Sequence, residues 1–66
     1  MDVKKLAKAA REQGWTVDRT QRGHWRFVPA VGKICIFSGT PGDVRAIRNF
    51  LAEIRREGFI WPWHGR

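Results

Sequence analysis

Few side chains in this 66-residue sequence are equipped for covalent chemistry: two histidines, one cysteine and six carboxylates. His24, Cys35 and His64 lie too far apart for the spacing of zinc ligands, so no metal is expected. No glycine-rich loop follows a strand to cradle a phosphate, and no sharp strand-turn-helix presents a serine nucleophile, so no cofactor is expected either. One kind of chemistry needs less. RNA carries its own nucleophile, the 2′-hydroxyl, and a ribonuclease has only to hold the strand and move protons. A single imidazole can do this, because its ordinary pKa of about 6.5 keeps both protonation states available near neutrality. His24 stands directly after a turn glycine and between Arg22 and Arg26. Cations in those positions would stabilise charge developing at a scissile phosphate. On position alone a second reading stays open, since a histidine at a strand start beside arginines is commonly a surface residue without a chemical role.

The charge balance favours a polyanionic partner. Thirteen Lys and Arg oppose six Asp and Glu, for a net +7 and a pI near 11.2. Nine of the thirteen are Arg, the side chain suited to bidentate phosphate contacts and to stacking on bases. RNA is therefore the expected partner, with Arg22, Arg26 and Lys33 as the first phosphate-binding group. Lys4, Lys8 and Arg11 recur at helical spacing and would extend the basic surface. A basic surface that serves solubility alone is the alternative, although solubility needs only a modest net charge. Cys35, in the apolar run Ile34 to Phe37, reads as a small buried hydrophobe. No apolar run approaches the roughly 20 residues of a membrane span. No secretory leader is read at the start, so the chain is expected to act in the cytoplasm, without a membrane partner.

The elements that must position these residues follow from periodicity. Val3, Leu6, Ala7 and Ala10 mark one face of a helix over 2–13, capped by Asp2 and stopped at Gly14. Alternation predicts strands over 15–19, 24–28 and 33–37, joined by turns at Gln21–Gly23 and Pro29–Gly32 into an antiparallel meander. Thr40 suits an N-cap with Pro41 at N1. Val44, Ile47, Leu51 and Ile54, with Phe50 alongside, then mark a second helix ending at Gly58. The expected fold is a small α+β domain of order α-β-β-β-α. Two helices would cover one face of a three-stranded antiparallel sheet, leaving His24 and Arg26 on the open face. The tail from Ile60 to Arg66, broken by Pro62, is too short for another element. Its Trp61 and Trp63 either pack back over the core or offer a surface to a base or a protein partner.

Gly14-Trp15, an Arg-bearing strand, Gly23-His24-Trp25-Arg26-Phe27, a hydrophobic strand and a helix opened by Thr40-Pro41 come in a fixed order. That order resembles the HicA (YcfA-like) toxin family over about residues 3 to 59. Ser38-Gly-Thr-Pro-Gly-Asp43 with Arg45 and Asn49 is similar to the Ser-Thr-Pro-Ser-Asp version of actinobacterial and phage members. The resemblance divides the chain into a HicA-like domain, 1–59, and a Trp-rich tail, 60–66. It implies a double-stranded-RNA-binding-like fold, mRNA interferase activity with His24 as the catalytic histidine, and a HicB-like antitoxin as partner. Arg22-Gly23-His24 stands where typical members have Gly-Ser-His, and Trp25 where a second histidine often follows. Two other functions fit the same residues: a non-catalytic nucleic-acid-binding module, and a phage host-interaction protein whose Trp61 and Trp63 dock on an acidic surface.

Overall fold

The computed structural model describes residues 2–40 and 42–64. Its elements run α1 (Val3–Glu12), β1 (Thr16–Arg19), β2 (Trp25–Val28), β3 (Cys35–Phe37) and α2 (Val44–Arg56). This is the α+β order that periodicity predicts, with slightly shorter strands. Trp15, His24, Lys33 and Ile34 belong to the connections instead.

Helix α1 starts where Asp2 accepts the Lys5 amide on Oδ1 at 3.1 Å and buries Val3, Leu6, Ala7, Ala9 and Ala10. Both helices stop in the same way. After α1 the Trp15 amide donates to Ala10 O at 2.9 Å and the Gly14 amide to Arg11 O at 3.2 Å. After α2 the Phe59 amide donates to Ile54 O and the Gly58 amide to Arg55 O, each at 3.2 Å. These paired bonds form a Schellman stop, which needs a left-handed residue after the cap. Gly14 (φ 90°) and Gly58 (φ 100°) supply it without a Cβ penalty. Each stop is followed by an aromatic residue that turns inward, and Trp15 meets Phe59 edge-on at 5.9 Å.

The entry to α2 differs from the sequence expectation. Asp43, not Thr40, is the N-cap: its Oδ1 accepts the amides of Arg45 at 3.0 Å and Ala46 at 3.2 Å. A carboxylate there satisfies two first-turn donors and places negative charge at the positive end of the helix dipole. Thr40 lies outside the helix, with its carbonyl accepting the Asp43 amide at 2.9 Å. Pro41 lies outside the described residues. Val44, read as part of the buried stripe, is 51% exposed; Ile47, Phe50, Leu51 and Ile54 make the inward face.

The sheet has strand order β1-β2-β3, both pairs antiparallel. Register places Val17, Phe27 and Cys35 in one row, and Arg19, Trp25 and Phe37 in the next row of the same face. Val17, Phe27, Cys35 and Phe37 join the buried residues of both helices in a single core. Phe27, fully buried, meets Phe50 edge-on at 4.9 Å, and Phe37 packs on Phe50 at 5.3 Å. Thr16, Arg26 and Ile36 point the other way and are exposed. Among the described residues, no helix is long and apolar enough to cross a membrane.

The capping geometry gives a direct test. Asp43→Ala should lower unfolding stability by about 1 kcal/mol, and Thr40→Ala should leave it nearly unchanged, both measured by chemical denaturation. The opposite ranking would return the cap to Thr40.

Candidate nucleic-acid interface

The hairpin between β1 and β2 holds His24. Its turn is Gln21-Arg22-Gly23, closed by the Gly23 amide on Thr20 O at 2.9 Å and by the Thr20 amide on His24 O at 2.8 Å. Gly23, at φ 83°, takes the left-handed position that a three-residue hairpin loop requires. The His24 amide donates to Thr20 Oγ1 at 3.1 Å, so the backbone at His24 is fixed on both sides. His24 stands one residue before β2, two residues from Arg26 on the open face. It is half-buried, and no side-chain hydrogen bond engages it among the described residues.

Two residues that sequence reasoning did not single out shape this hairpin. Arg19 donates through Nε and Nη2 to Gly23 O, at 3.1 and 2.6 Å, and lays its guanidinium over the Trp25 ring at 4.5 Å. Trp25 and Arg19 are direct cross-strand partners on the core face, which makes that contact possible. Asp18 is the second. It pairs across the strands with Arg26 on the open face, through Arg26 Nε to Oδ1 at 2.9 Å and Nη2 to Oδ2 at 2.8 Å. The hydrogen bonds from Arg26 hold the Asp18 carboxyl below its ordinary value, and Asp18 in turn raises the Arg26 guanidinium. The pair's contribution is therefore complete above the ordinary carboxylate range and fades as pH falls through the lowered value. Both groups are solvated, so the gain is small. Its consequence is electrostatic: the Arg26 fork is already occupied by a carboxylate.

The remaining predicted cations divide into separate places. Arg22 is exposed at the tip of the His24 hairpin. Lys33 is also exposed, but its loop joins the far end of β2 to β3, where its amide donates to Glu57 Oε1 at 2.8 Å. From His24 to that end is about 15 Å of strand at roughly 3.3 Å per residue, so Lys33 does not share a phosphate with Arg22. Lys4, Lys8 and Arg11 are exposed on α1 as predicted, yet Arg11 also donates from Nη2 to Val17 O at 2.9 Å, tying α1 to β1. The tail folds back. Gln13 clamps Ile60 from both sides, donating Nε2 to its carbonyl at 2.9 Å and accepting its amide on Oε1 at 2.8 Å. Trp61 stacks on Phe59 at 6.0 Å, and Trp63 donates Nε1 to Glu12 Oε1 at 2.8 Å. Gly65 and Arg66 lie outside the described residues.

Among the described residues, no three His, Cys, Asp or Glu side chains gather as a metal-binding group. Cys35 is 1% exposed, and burial, with Glu53 and Glu57 nearby, pushes its thiol up to about 11. A thiolate nucleophile at neutral pH is thereby disfavoured. Comparison of the chain with protein-family models, curated proteins and solved structures found no match.

Two outcomes are expected. In the folded protein at pH 8, Cys35 should react with a maleimide far more slowly than in denaturant; equal rates would contradict its burial. Asp18→Asn should release Arg26. RNA affinity should then rise, and the slope of log affinity against log salt should steepen by about 0.7–0.9, the increment for one added phosphate contact. An unchanged slope would mean that Arg26 never meets a phosphate.

Proposed function

We propose that this chain is an RNA-binding protein of the HicA kind that cleaves single-stranded RNA, with His24 as its proton-transfer residue. The observation that carries the reading is the His24 hairpin. His24 stands at the entrance to β2, on a backbone fixed by Thr20 and close to the exposed Arg22, in a chain of net charge +7. The α-β-β-β-α order agrees with the double-stranded-RNA-binding-like fold that the HicA resemblance implies. In the proposed step the 2′-oxygen bonds to the adjacent phosphorus and the P–O5′ bond breaks, leaving a 2′,3′-cyclic phosphate and a 5′-hydroxyl. His24 takes the 2′-hydroxyl proton, and water supplies the proton of the leaving oxygen. Arg22 is the nearest predicted cation with an unoccupied guanidinium among the described residues, so it is the first choice for stabilising the phosphate. Arg26 would join only after exchanging Asp18 for the strand. A toxin of this kind would act on mRNA in the cytoplasm of a bacterium or phage-infected host and be held by a HicB-like antitoxin.

One observation favours a second reading, a non-catalytic RNA-binding module. The bidentate Asp18–Arg26 pair removes one of the two arginines flanking His24 from phosphate duty.

The two readings separate on one substitution. Purified chain should fragment a single-stranded RNA into products with cyclic-phosphate ends, and His24→Ala should lower that rate at least 100-fold, the scale of general acid–base catalysis. RNA affinity should stay within about twofold. Intact RNA with wild type, at concentrations that bind it, would leave the binding module.

A further inference from the structure

One cleft of the described residues lies away from His24. It is an open groove of about 320 Å³ between the outer face of α1 and the folded-back tail, lined by Lys5, Lys8, Ala9, Glu12, Trp61, Trp63 and His64. That volume is at the lower end for small-ligand sites. We propose that this cleft binds one nucleotide of a single-stranded RNA, its base against the Trp61–Trp63 wall and its phosphate between Lys5 and Lys8. The inference rests on the RNA-binding reading and adds a second contact point, remote in sequence from the His24 hairpin.

The construction of the cleft suits that ligand. Lys5 and Lys8 are about one turn apart on α1 and both line the cleft, so both ammonium groups are within reach of a single anion there. Ala9, beside them in the lining, is small and buried, which leaves a floor without a bulky side chain. The opposite wall is held in place. Gln13 fixes the Ile60 backbone, Phe59 stacks on Trp61, and Glu12 accepts the Trp63 indole N–H. Both indoles remain only half-buried. Fixed aromatic rings that still expose area are stacking platforms, and stacking tolerates any base. Glu12 is the one acid in the lining, and the Trp63 N–H already occupies one of its oxygens. An aromatic anion satisfies both walls at once. An acidic peptide would satisfy the lysines and leave the indoles without a stacking partner.

The test uses the full chain carrying His24→Ala, so that the probe stays intact. A fluorescein-labelled single-stranded RNA dodecamer reports affinity by anisotropy over a salt series. Lys5→Gln with Lys8→Gln should reduce the salt slope by about 0.7, the single-strand increment for the one phosphate the two lysines share. Trp63→Ala should weaken binding about tenfold, the scale of one stacked base, with the slope unchanged. Because that variant also loosens the tail, uridine 5′-monophosphate is titrated into the 15N-labelled parent as an independent measurement. Shifts confined to the Lys5, Lys8 and Ala9 amides and the Trp63 indole resonance are expected. RNA binding by the parent with variants that match it, or a titration that leaves those resonances unmoved, would overturn the cleft and spare the RNA reading. Failure of the parent to bind RNA would overturn both. Displacement of the nucleotide by a glutamate-rich peptide that binds the cleft more tightly would overturn the cleft alone and make its ligand a protein.

Discussion

The contact on which this small fold depends is the edge-on meeting of Trp15 and Phe59. Each aromatic residue is delivered by a helix stop built on glycine, and each stop fixes where its chain leaves the helix. Trp15 leads directly into β1, and Phe59 leads into the tail. A chain of 66 residues buries a smaller share of its surface than a large domain does, so a few aromatic contacts carry much of its order. Phe27, Phe37 and Phe50 make the second such group, between the sheet and α2. Both clusters belong to the one core on the inner face of the sheet. They leave the opposite face, with Arg26, Ile36 and the His24 hairpin, to solvent.

That arrangement sorts the positive charge into two kinds. Arg11, Arg19 and Arg26 spend their donors on Val17 O, Gly23 O and the Asp18 carboxylate. They act as internal braces of α1, the hairpin and the sheet. Lys4, Lys5, Lys8, Arg22 and Lys33 make no side-chain hydrogen bond among the described residues and stay exposed to solvent. Net charge alone counts both kinds equally, although only the second can neutralise phosphate without first breaking a protein contact. The accessible basic surface thus includes the hairpin tip, the Lys33 loop, the outer face of α1 and the exposed Arg45, Arg48, Arg55 and Arg56 of α2.

Much of the fold was legible in the residues. Asp2, Gly14 and Gly58 bound their helices because capping and left-handed stops are local chemistry, decided within a few residues. The alternation of Val17, Phe27, Cys35 and Phe37 marked one buried face for the same reason. The start of α2 was misread because Thr40 and Asp43 are both good caps, and which one closes the helix depends on where the chain arrives from β3. Part of the candidate site was legible too. His24 after a turn glycine and Arg22 at the tip are hairpin features and can be read along the chain.

The pairing of Asp18 with Arg26 was not readable before the register was known, since it joins two strands across a turn of uncertain length. Nor was the separation of Lys33 from Arg22, which follows from antiparallel connections placing successive loops at opposite ends of the sheet. The cleft under the Trp tail is the furthest from local signals, because Gln13 and Ile60, or Glu12 and Trp63, meet only after the whole fold has closed. What the sequence by itself determined was therefore the set of elements, their caps, their inward faces and a strong positive charge, all properties of short-range backbone chemistry and composition. Which cations remain available, and which aromatic rings face them, was decided only by tertiary structure, because a guanidinium's partner is whatever oxygen the folded chain brings within hydrogen-bond reach.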